Sequence, residues 1–141
     1  SSDKLVTHAV WAAAGLPQPV AWDLAGLAEW PDPGRPMVLK PSLCDGARHI
    51  GLVESLDEAR AQEAAWRADE ADGGERRGSA LLQEWVEEPT VTRVFATPTA
   101  TSLVYEKDRA AGAVVTHGTH YPRTYEASPE MADLARRMVA T

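Results

Sequence analysis

Two lysines occupy positions from which an ammonium group can reach a phosphate. Lys40 ends the apolar run 37–39 and precedes Pro41, whose nitrogen carries no hydrogen for further strand pairing. A strand end fixes the direction of such a side chain, and an ammonium binds phosphate oxygens well. Lys4 lies in the first turn of a predicted helix, where a positive charge is mildly unfavourable. The alternative for both residues is an ordinary solvated surface charge.

The loop at 42–51 follows Lys40 directly and is a candidate cover for phosphates. It offers the Ser42 hydroxyl, the Arg48 side chain and the backbone N–H groups around Gly46. Cys44 and His49 lie in the same loop, but two ligands do not make a metal site. A plain hairpin tip is the alternative interpretation of this loop.

A third candidate lies at the end of the predicted strand 81–86 and in the acidic pair behind it. Adenine needs an apolar slot with backbone donors and acceptors, and ribose hydroxyls suit a carboxylate acceptor. An aromatic residue here is equally typical of a core position. The residues concerned are Gln83, Glu84, Trp85, Val86, Glu87 and Glu88.

Four basic residues form a late polar cluster that would suit an anionic substrate. They are Arg109, His117, His120 and Arg123. No neighbouring carboxylate pair completes a set of metal ligands, so substrate binding and plain surface charge are the two interpretations.

Helices and strands predicted from periodicity must position these residues. The first helix starts at a cap formed by Ser2 or Asp3 and ends at Gly15, and strands follow at 19–22, 37–39 and 50–53. Ser55 with Glu58 predicts a capping box, and the segment 69–78 predicts a lobe boundary or flexible crossing. Later strands are predicted at 81–86, 91–96, 102–106 and 113–116.

A last helix is predicted to begin at Ser128 and Pro129. Its apolar residues recur with helical spacing and predict a stripe that belongs to the core. The residues of this stripe are Met131, Leu134, Ala135, Met138 and Val139.

Composition limits the classes of function. The chain has 141 residues, a formal net charge of -7 and an isoelectric point near 5.0, so nucleic acid is not an expected partner. No apolar run is long enough to cross a bilayer, and a single cysteine fits a reducing, cytoplasmic compartment. The chain starts at Ser1 and its last helix stops without a C-terminal signal, so we expect it to be part of a longer protein.

The order of these pieces resembles the ATP-grasp superfamily, above all the branch of D-alanine ligases and RimK-like glutamate ligases. The similarity spans nearly the whole chain and rests on an ordered set of short motifs. In order, they are SDKL at 2–5, GLP at 15–17, MVLKP at 37–41, the loop from Gly46 to Gly51, and LQEWV at 82–86.

The resemblance implies an α+β fold in which two small lobes with antiparallel sheets grip ATP in a cleft. Residues 1–80 would form the N-terminal lobe and 81–141 the start of the C-terminal lobe. Lys4 and Lys40 would contact the phosphates, and the loop around Gly46 would cover them. Arg93 looks like the arginine that follows the hinge in RimK-like ligases, and with Arg109 it is a candidate catalytic residue.

The same resemblance implies that the hinge strand holds adenine through the backbone of residues 83–86, while Glu87 or Glu88 takes the ribose. The function it implies is an ATP-dependent carboxylate–amine ligase, with Mg²⁺ as a cofactor, that acts through an acyl phosphate on carboxylate and amine substrates. The family's carboxylates and asparagine that bind two magnesium ions have no match in this chain. A non-catalytic nucleotide-binding module is therefore the alternative, and an α+β domain with no nucleotide site is a third interpretation.

Overall fold

The computed structural model describes residues 3–44, 49–88, 90–108, 123–124 and 126–141. These residues form an α+β fold of three α-helices, a short 3-10 helix and two antiparallel sheets, which confirms the predicted class. The chain divides into two compact units, Ser1–Ala9 with Gln18–Val86 and Val10–Pro17 with Glu87–Thr141. The two ATP-grasp lobes at 1–80 and 81–141 stay a prediction.

Helix α1, Lys4–Ala13, begins and ends where the sequence predicts. The Asp3 carboxylate accepts a hydrogen bond of 2.9 Å from the backbone N–H of Leu5, which satisfies one of the donors that a helix start leaves unpaired. Gly15 follows the helix with φ 65°, a left-handed conformation that glycine adopts without the cost of a Cβ. Local capping chemistry therefore sets both limits of α1.

The first unit contains a four-stranded sheet in the order β1-β4-β2-β3, with every neighbouring pair antiparallel. The 3-10 helix Leu24–Gly26 follows β1 directly. The four strands are β1 Ala21–Asp23, β2 Met37–Pro41, β3 Gly51–Val53 and β4 Ala80–Glu84.

Prolines explain two of the strand limits that differ from the prediction. The strand predicted at 19–22 is observed at Ala21–Asp23, and the strand predicted at 81–86 ends at Glu84. Glu84 pairs with Met37 of β2 and donates its N–H to the carbonyl of Val20 at 2.9 Å. The next position, Trp85, would face a proline on each side, residues 36 and 19, and neither has an N–H for the ladder.

The core of the first unit lies on one face of this sheet. In β2 the residues Met37, Leu39 and Pro41 are buried and alternate with half-buried Val38 and Lys40. The buried face packs against helix α2, Leu56–Ala71, and each fully buried aliphatic side chain contributes about 1.5–3 kcal/mol. The opposite face carries Lys40 and Gln83 beside the apolar residues Val38, Leu52 and Leu81, of which Leu81 is buried.

Helix α2 starts at the predicted cap but with a modified box. The Ser55 hydroxyl accepts the N–H of Glu58 at 3.2 Å, while the Glu58 carboxylate accepts the N–H of Glu54 at 2.8 Å rather than that of the cap residue. The helix continues to Ala71, so the first three residues of the segment 69–78 are helical. None of the described helices is both long enough and apolar enough to cross a membrane.

The second unit contains a three-stranded antiparallel sheet and helix α3. Strands β5 Thr90–Ala96 and β6 Thr101–Asp108 confirm the predicted pair at 91–96 and 102–106, and β7 Arg123–Thr124 pairs with β6. Ser128 caps α3, Pro129–Ala140, and accepts a 3.2 Å hydrogen bond from the N–H of Met131. The strand predicted at 113–116 lies outside the described residues.

The apolar stripe of α3 was predicted to belong to the core, but its residues are at most half-buried. This prediction is therefore wrong. No α3 residue is buried, and Val139 is 50% exposed. The stripe instead lines an open cavity of about 410 Å³ together with Trp11, Thr92 and Val94. Helical periodicity identifies the apolar face of a helix, but the depth of burial depends on what packs against that face.

Candidate polyphosphate site

The face of the first sheet opposite the core cluster carries Lys40 and Gln83. Val38 pairs with Gln83, and residues two apart on a strand share a face, so Lys40 and Gln83 are diagonal neighbours across β2 and β4. The ammonium of Lys40 donates a hydrogen bond to the Gln83 side-chain oxygen. Lys40 lies within β2 rather than at its end, and the strand pairing with its Gln83 contact fixes the direction of its side chain.

Lys4 reaches the same region from the start of α1. Its backbone N–H donates to the carbonyl of Ser42 at 3.0 Å, which ties the first turn of the helix to the end of β2. Its ammonium donates to the carbonyl of Cys44 at 2.7 Å and lies 3.5 Å from the Cys44 sulfur and 3.4 Å from the Ser42 carbonyl. Residues 38 positions apart in sequence are thereby brought together.

The electrostatics of this pair favour an anion. Burial lowers the pKa of Lys40 below its ordinary value of 10.5, and the charge of Lys4 lowers this pKa further, while Cys44 acts in the opposite direction. Two ammonium groups that repel each other in a partly desolvated place gain stability from a shared negative partner. A phosphate chain, with several oxygens along its length, fits this requirement.

The predicted phosphate ligand Ser42 has a different environment. It is completely buried, its N–H donates to the Ser79 carbonyl at 2.8 Å, and its hydroxyl accepts the N–H of Ser79 at 3.1 Å. These bonds continue the pairing of β2 with β4 past Pro41. In this structure Ser42 holds the backbone that presents two carbonyls to Lys4, and its contact with phosphate stays a prediction.

Arg77 supports this loop and was not identified from the sequence. It is 7% exposed, its guanidinium donates to the Trp66 carbonyl at 2.9 Å and forms an ion pair with Asp69, and its own carbonyl accepts the N–H of Leu43 at 2.8 Å. The guanidinium lowers the pKa of Asp69 through hydrogen bonding and charge. Arg77 thus ties the end of α2 to the start of the loop after Ser42.

No pattern in the sequence separates Arg77 from its neighbour Arg76. Both precede Gly78 in a charged segment predicted to be flexible, yet Arg76 is exposed and Arg77 is buried. The one local signal is Gly78 itself, whose φ of 68° marks a tight turn. Burial of one arginine rather than the other is decided by the approach of the loop at 42–43.

The structure describes the other predicted hinge residues, Glu84, Trp85 and Val86, and the side-chain partners of Glu84 are residues other than Lys40. Glu84 directs its carboxylate to the edge of the sheet, 3.3 Å from the Val20 nitrogen and 4.0 Å from the Arg35 guanidinium. Trp85 is half-buried directly after β4, and Val86 is 44% exposed.

The remaining predicted residues lie in the second unit or outside the described part. Arg93 is an exposed residue of β5, and the acidic pair at 87–88 is exposed just before this strand. Arg123 lies in strand β7. Gly46, Arg48, Arg109, His117 and His120 lie outside the described residues, and the predictions on them stay predictions.

The predicted site also needs protein ligands for Mg²⁺. Among the residues that the structure describes, no three His, Cys, Asp or Glu side chains form a group that could hold a metal ion. The described side chains thus do not fit such an ion, and we assign it no protein ligands.

Comparison with known proteins adds no further constraint. The chain matches no model of a known protein family, and no curated protein is similar to it in sequence. Assignment of a function therefore rests on the residues of this chain and on their arrangement.

Proposed function

We propose that this chain binds the polyphosphate of MgATP through Lys4 and Lys40. The observation that carries the proposal is that these two ammonium groups lie near the end of β2, close enough for the charge of Lys4 to lower the pKa of Lys40. Gln83 orients Lys40, and the Cys44 carbonyl orients Lys4. A bound phosphate oxygen, as a charged acceptor, would replace these neutral acceptors.

We further propose that the protein uses this nucleotide as an ATP-grasp carboxylate–amine ligase. In that reaction a carboxylate oxygen attacks the γ-phosphorus and ADP leaves, and an amine nitrogen then attacks the acyl carbon and phosphate leaves. The residues described here would position and neutralise the phosphates, which is the main protein contribution to phosphoryl transfer. The order of the motifs from Lys4 to Val86 supports this reaction.

The binding proposal is tested by titration calorimetry with MgATP and with inorganic tripolyphosphate. We expect Lys40→Met and Lys4→Met each to lower the affinity for both ligands by at least about tenfold. The reason is that a hydrogen bond to a charged group contributes about 1.5–3 kcal/mol. Arg76→Met is the matched control, since it removes one exposed positive charge of the same unit. Equal affinities in all four proteins would refute the role of the two lysines.

The ligase proposal is tested separately by ADP release. We expect release to require both a carboxylate and an amine, and to be lost in Lys40→Met. Binding of MgATP without any ADP release, across a panel of amino acids and short peptides, would leave a nucleotide-binding module as the function. Retention of ADP release by the Lys40→Met variant would separate the reaction from this site.

A further inference from the structure

One peptide group of the first unit contacts Lys4 on one side and Arg77 on the other. The carbonyl of Ser42 accepts the backbone N–H of Lys4 at 3.0 Å and lies 3.4 Å from the Lys4 ammonium. The N–H of the next residue, Leu43, donates to the carbonyl of Arg77 at 2.8 Å. The carbonyl and the N–H of a trans peptide point in opposite directions, so this single plane lies between the two residues. Its orientation is therefore fixed from both sides.

The Lys4 ammonium also depends on the residue that follows this peptide group. It donates to the carbonyl of Cys44 at 2.7 Å. Leu43 lies between the two residues whose carbonyls face Lys4, so a displacement of Leu43 shifts both acceptors at once. The position of the ammonium is therefore tied to the hydrogen bond between Leu43 and Arg77.

Arg77 is itself held by the last turns of α2. Its guanidinium donates to the carbonyl of Trp66 at 2.9 Å and pairs with Asp69, and its backbone N–H donates to the carboxylate of Glu70. Arg77 is 7% exposed, and a buried guanidinium is costly unless it is paired. The ion pair with Asp69 therefore stabilises the place of Arg77, and with it the Arg77 carbonyl, at the end of the helix.

The position of Lys4 matters electrostatically for Lys40. The charge of Lys4 lowers the pKa of Lys40, and the interaction between two charges weakens with distance. A retreat of Lys4 would relieve this repulsion and would also remove one of the two cations from the proposed phosphate site. The two consequences can be measured separately.

We propose that Arg77 is a positioning residue of the polyphosphate site. Together with Asp69, it holds the peptide group between residues 42 and 43 in the orientation that keeps the Lys4 ammonium near Lys40. Arg77 acts through Lys4 and not on the ligand itself. The proposal rests on the proposed nucleotide function and extends the site to the turn that follows α2.

The test changes the exposed partner of Arg77, because replacement of the buried Arg77 itself risks unfolding the unit. Asp69→Asn removes one negative charge from a side chain that is 58% exposed. Glu63→Gln is the matched control, since it removes the same charge from the same helix and breaks only one of the two ion pairs of Arg67. Both variants are titrated with inorganic tripolyphosphate by calorimetry, and the pKa of Lys40 is followed by NMR.

The sign of the result separates positioning from a simple loss of charge. Removal of a carboxylate by itself strengthens anion binding and lowers the pKa of a nearby lysine. We expect Asp69→Asn to do the opposite. The affinity for tripolyphosphate should fall by about two- to fivefold, the range of an exposed ion pair, and the pKa of Lys40 should rise toward 10.5. Glu63→Gln should neither lower this affinity nor raise this pKa.

Equal responses of Asp69→Asn and Glu63→Gln would overturn the role of Arg77. A loss of affinity without a rise in the pKa of Lys40 would also overturn it, because Lys4 would then not have moved. A rise in this pKa with unchanged affinity would do the same, because the position of Lys4 would then not affect phosphate binding.

His49→Gln is a second control, since the charge of His49 also lowers the pKa of Asp69. If His49→Gln reproduced the result of Asp69→Asn, the effect would belong to His49 and not to Arg77. Failure of the wild type to bind tripolyphosphate would refute the proposed nucleotide function. The Lys40 titration would still decide, in that case, whether Arg77 positions Lys4.

Discussion

At the scale of single residues, Lys40 shows how the fold changes the surroundings of an ordinary lysine. Its ammonium is partly removed from water and donates a hydrogen bond to Gln83. The positive charge of Lys4 repels it. Removal from water makes a charged group costly, and a like charge nearby adds to this cost. The attraction of a bound anion would offset both costs, so the features that lower stability would favour the proposed phosphate ligand.

We predict that Lys4→Gln raises the pKa of Lys40 toward 10.5, because it removes the repulsion but not the desolvation. The chain has only three lysines, at positions 4, 40 and 107, so the side-chain carbon signals can be followed by NMR during a pH titration. Saturating tripolyphosphate should also raise this pKa in the wild type. An unchanged Lys40 titration in Lys4→Gln would show that the two ammonium groups do not interact.

The sign of the accompanying stability change follows from the same shift. Between the lowered pKa of Lys40 in the folded state and 10.5, the unfolded chain binds more protons than the folded chain. The contribution of Lys40 to the free energy of unfolding therefore rises with pH in that window and is constant below it. Lys40→Met should remove this rise, which denaturant unfolding in the alkaline range measures.

At the scale of elements, the turn after α2 shapes the loop that faces Lys4. Ser42 and Leu43 pair with the backbone of Ser79 and Arg77, and Gly78 lies between these two partners with φ 68°. A Cβ on Gly78 would overlap the Ser42 hydroxyl and approach Leu43 Cγ to 2.9 Å. The close approach of the two segments thus requires glycine for space as well as for conformation.

We predict that Gly78→Ala lowers the free energy of unfolding by about 3 kcal/mol, the sum of left-handed strain and overpacking. Gly34→Ala is the matched control, since Gly34 has φ 85° but nothing within 4 Å of an added Cβ. The control should cost only about 1–2 kcal/mol. Equal losses in the two variants, measured by denaturant unfolding, would mean that the contact with Ser42 and Leu43 imposes no constraint.

At the scale of the whole molecule, the core strands of the first unit and helix α3 of the second differ in how completely they bury apolar side chains. The first unit has a core in which Met37, Leu39, Val53 and Leu82 are at most 2% exposed. The described α3 helix of the second unit has no buried residue and lines an open cavity. Stability within a protein follows such differences, because local opening is easiest where few apolar contacts are lost.

We predict that backbone amides of α3 exchange with solvent deuterium faster than those of β2 and β4. Hydrogen exchange measured by NMR under native conditions should show protection close to the global free energy of unfolding in β2 and lower protection in α3. MgATP should add protection to β2, β4 and the first turn of α1 if the lysine site holds the phosphates. Equal protection of α3 and β2 would contradict this ranking.

Much of the local structure was determined by the sequence alone. The cap at Asp3, the stop at Gly15, the cap at Ser55 and the start of α3 at Ser128 all follow from short-range hydrogen-bond chemistry, which needs only neighbouring residues. The antiparallel pair β5–β6 follows from alternation and a short turn. The strand that carries Lys40 was readable in the same way, but its pairing with β4 continues past Pro41 to Ser42.

The tertiary structure decided which of these pieces meet. The partner of Lys40 is Gln83, the partners of Lys4 are the carbonyls after Pro41, and the buried arginine is Arg77 rather than its neighbour. The end of β4 before Trp85 likewise depends on the prolines that precede β1 and β2. Such contacts join residues far apart in the chain, and a residue's own neighbours carry no information about the register that brings a distant partner to it.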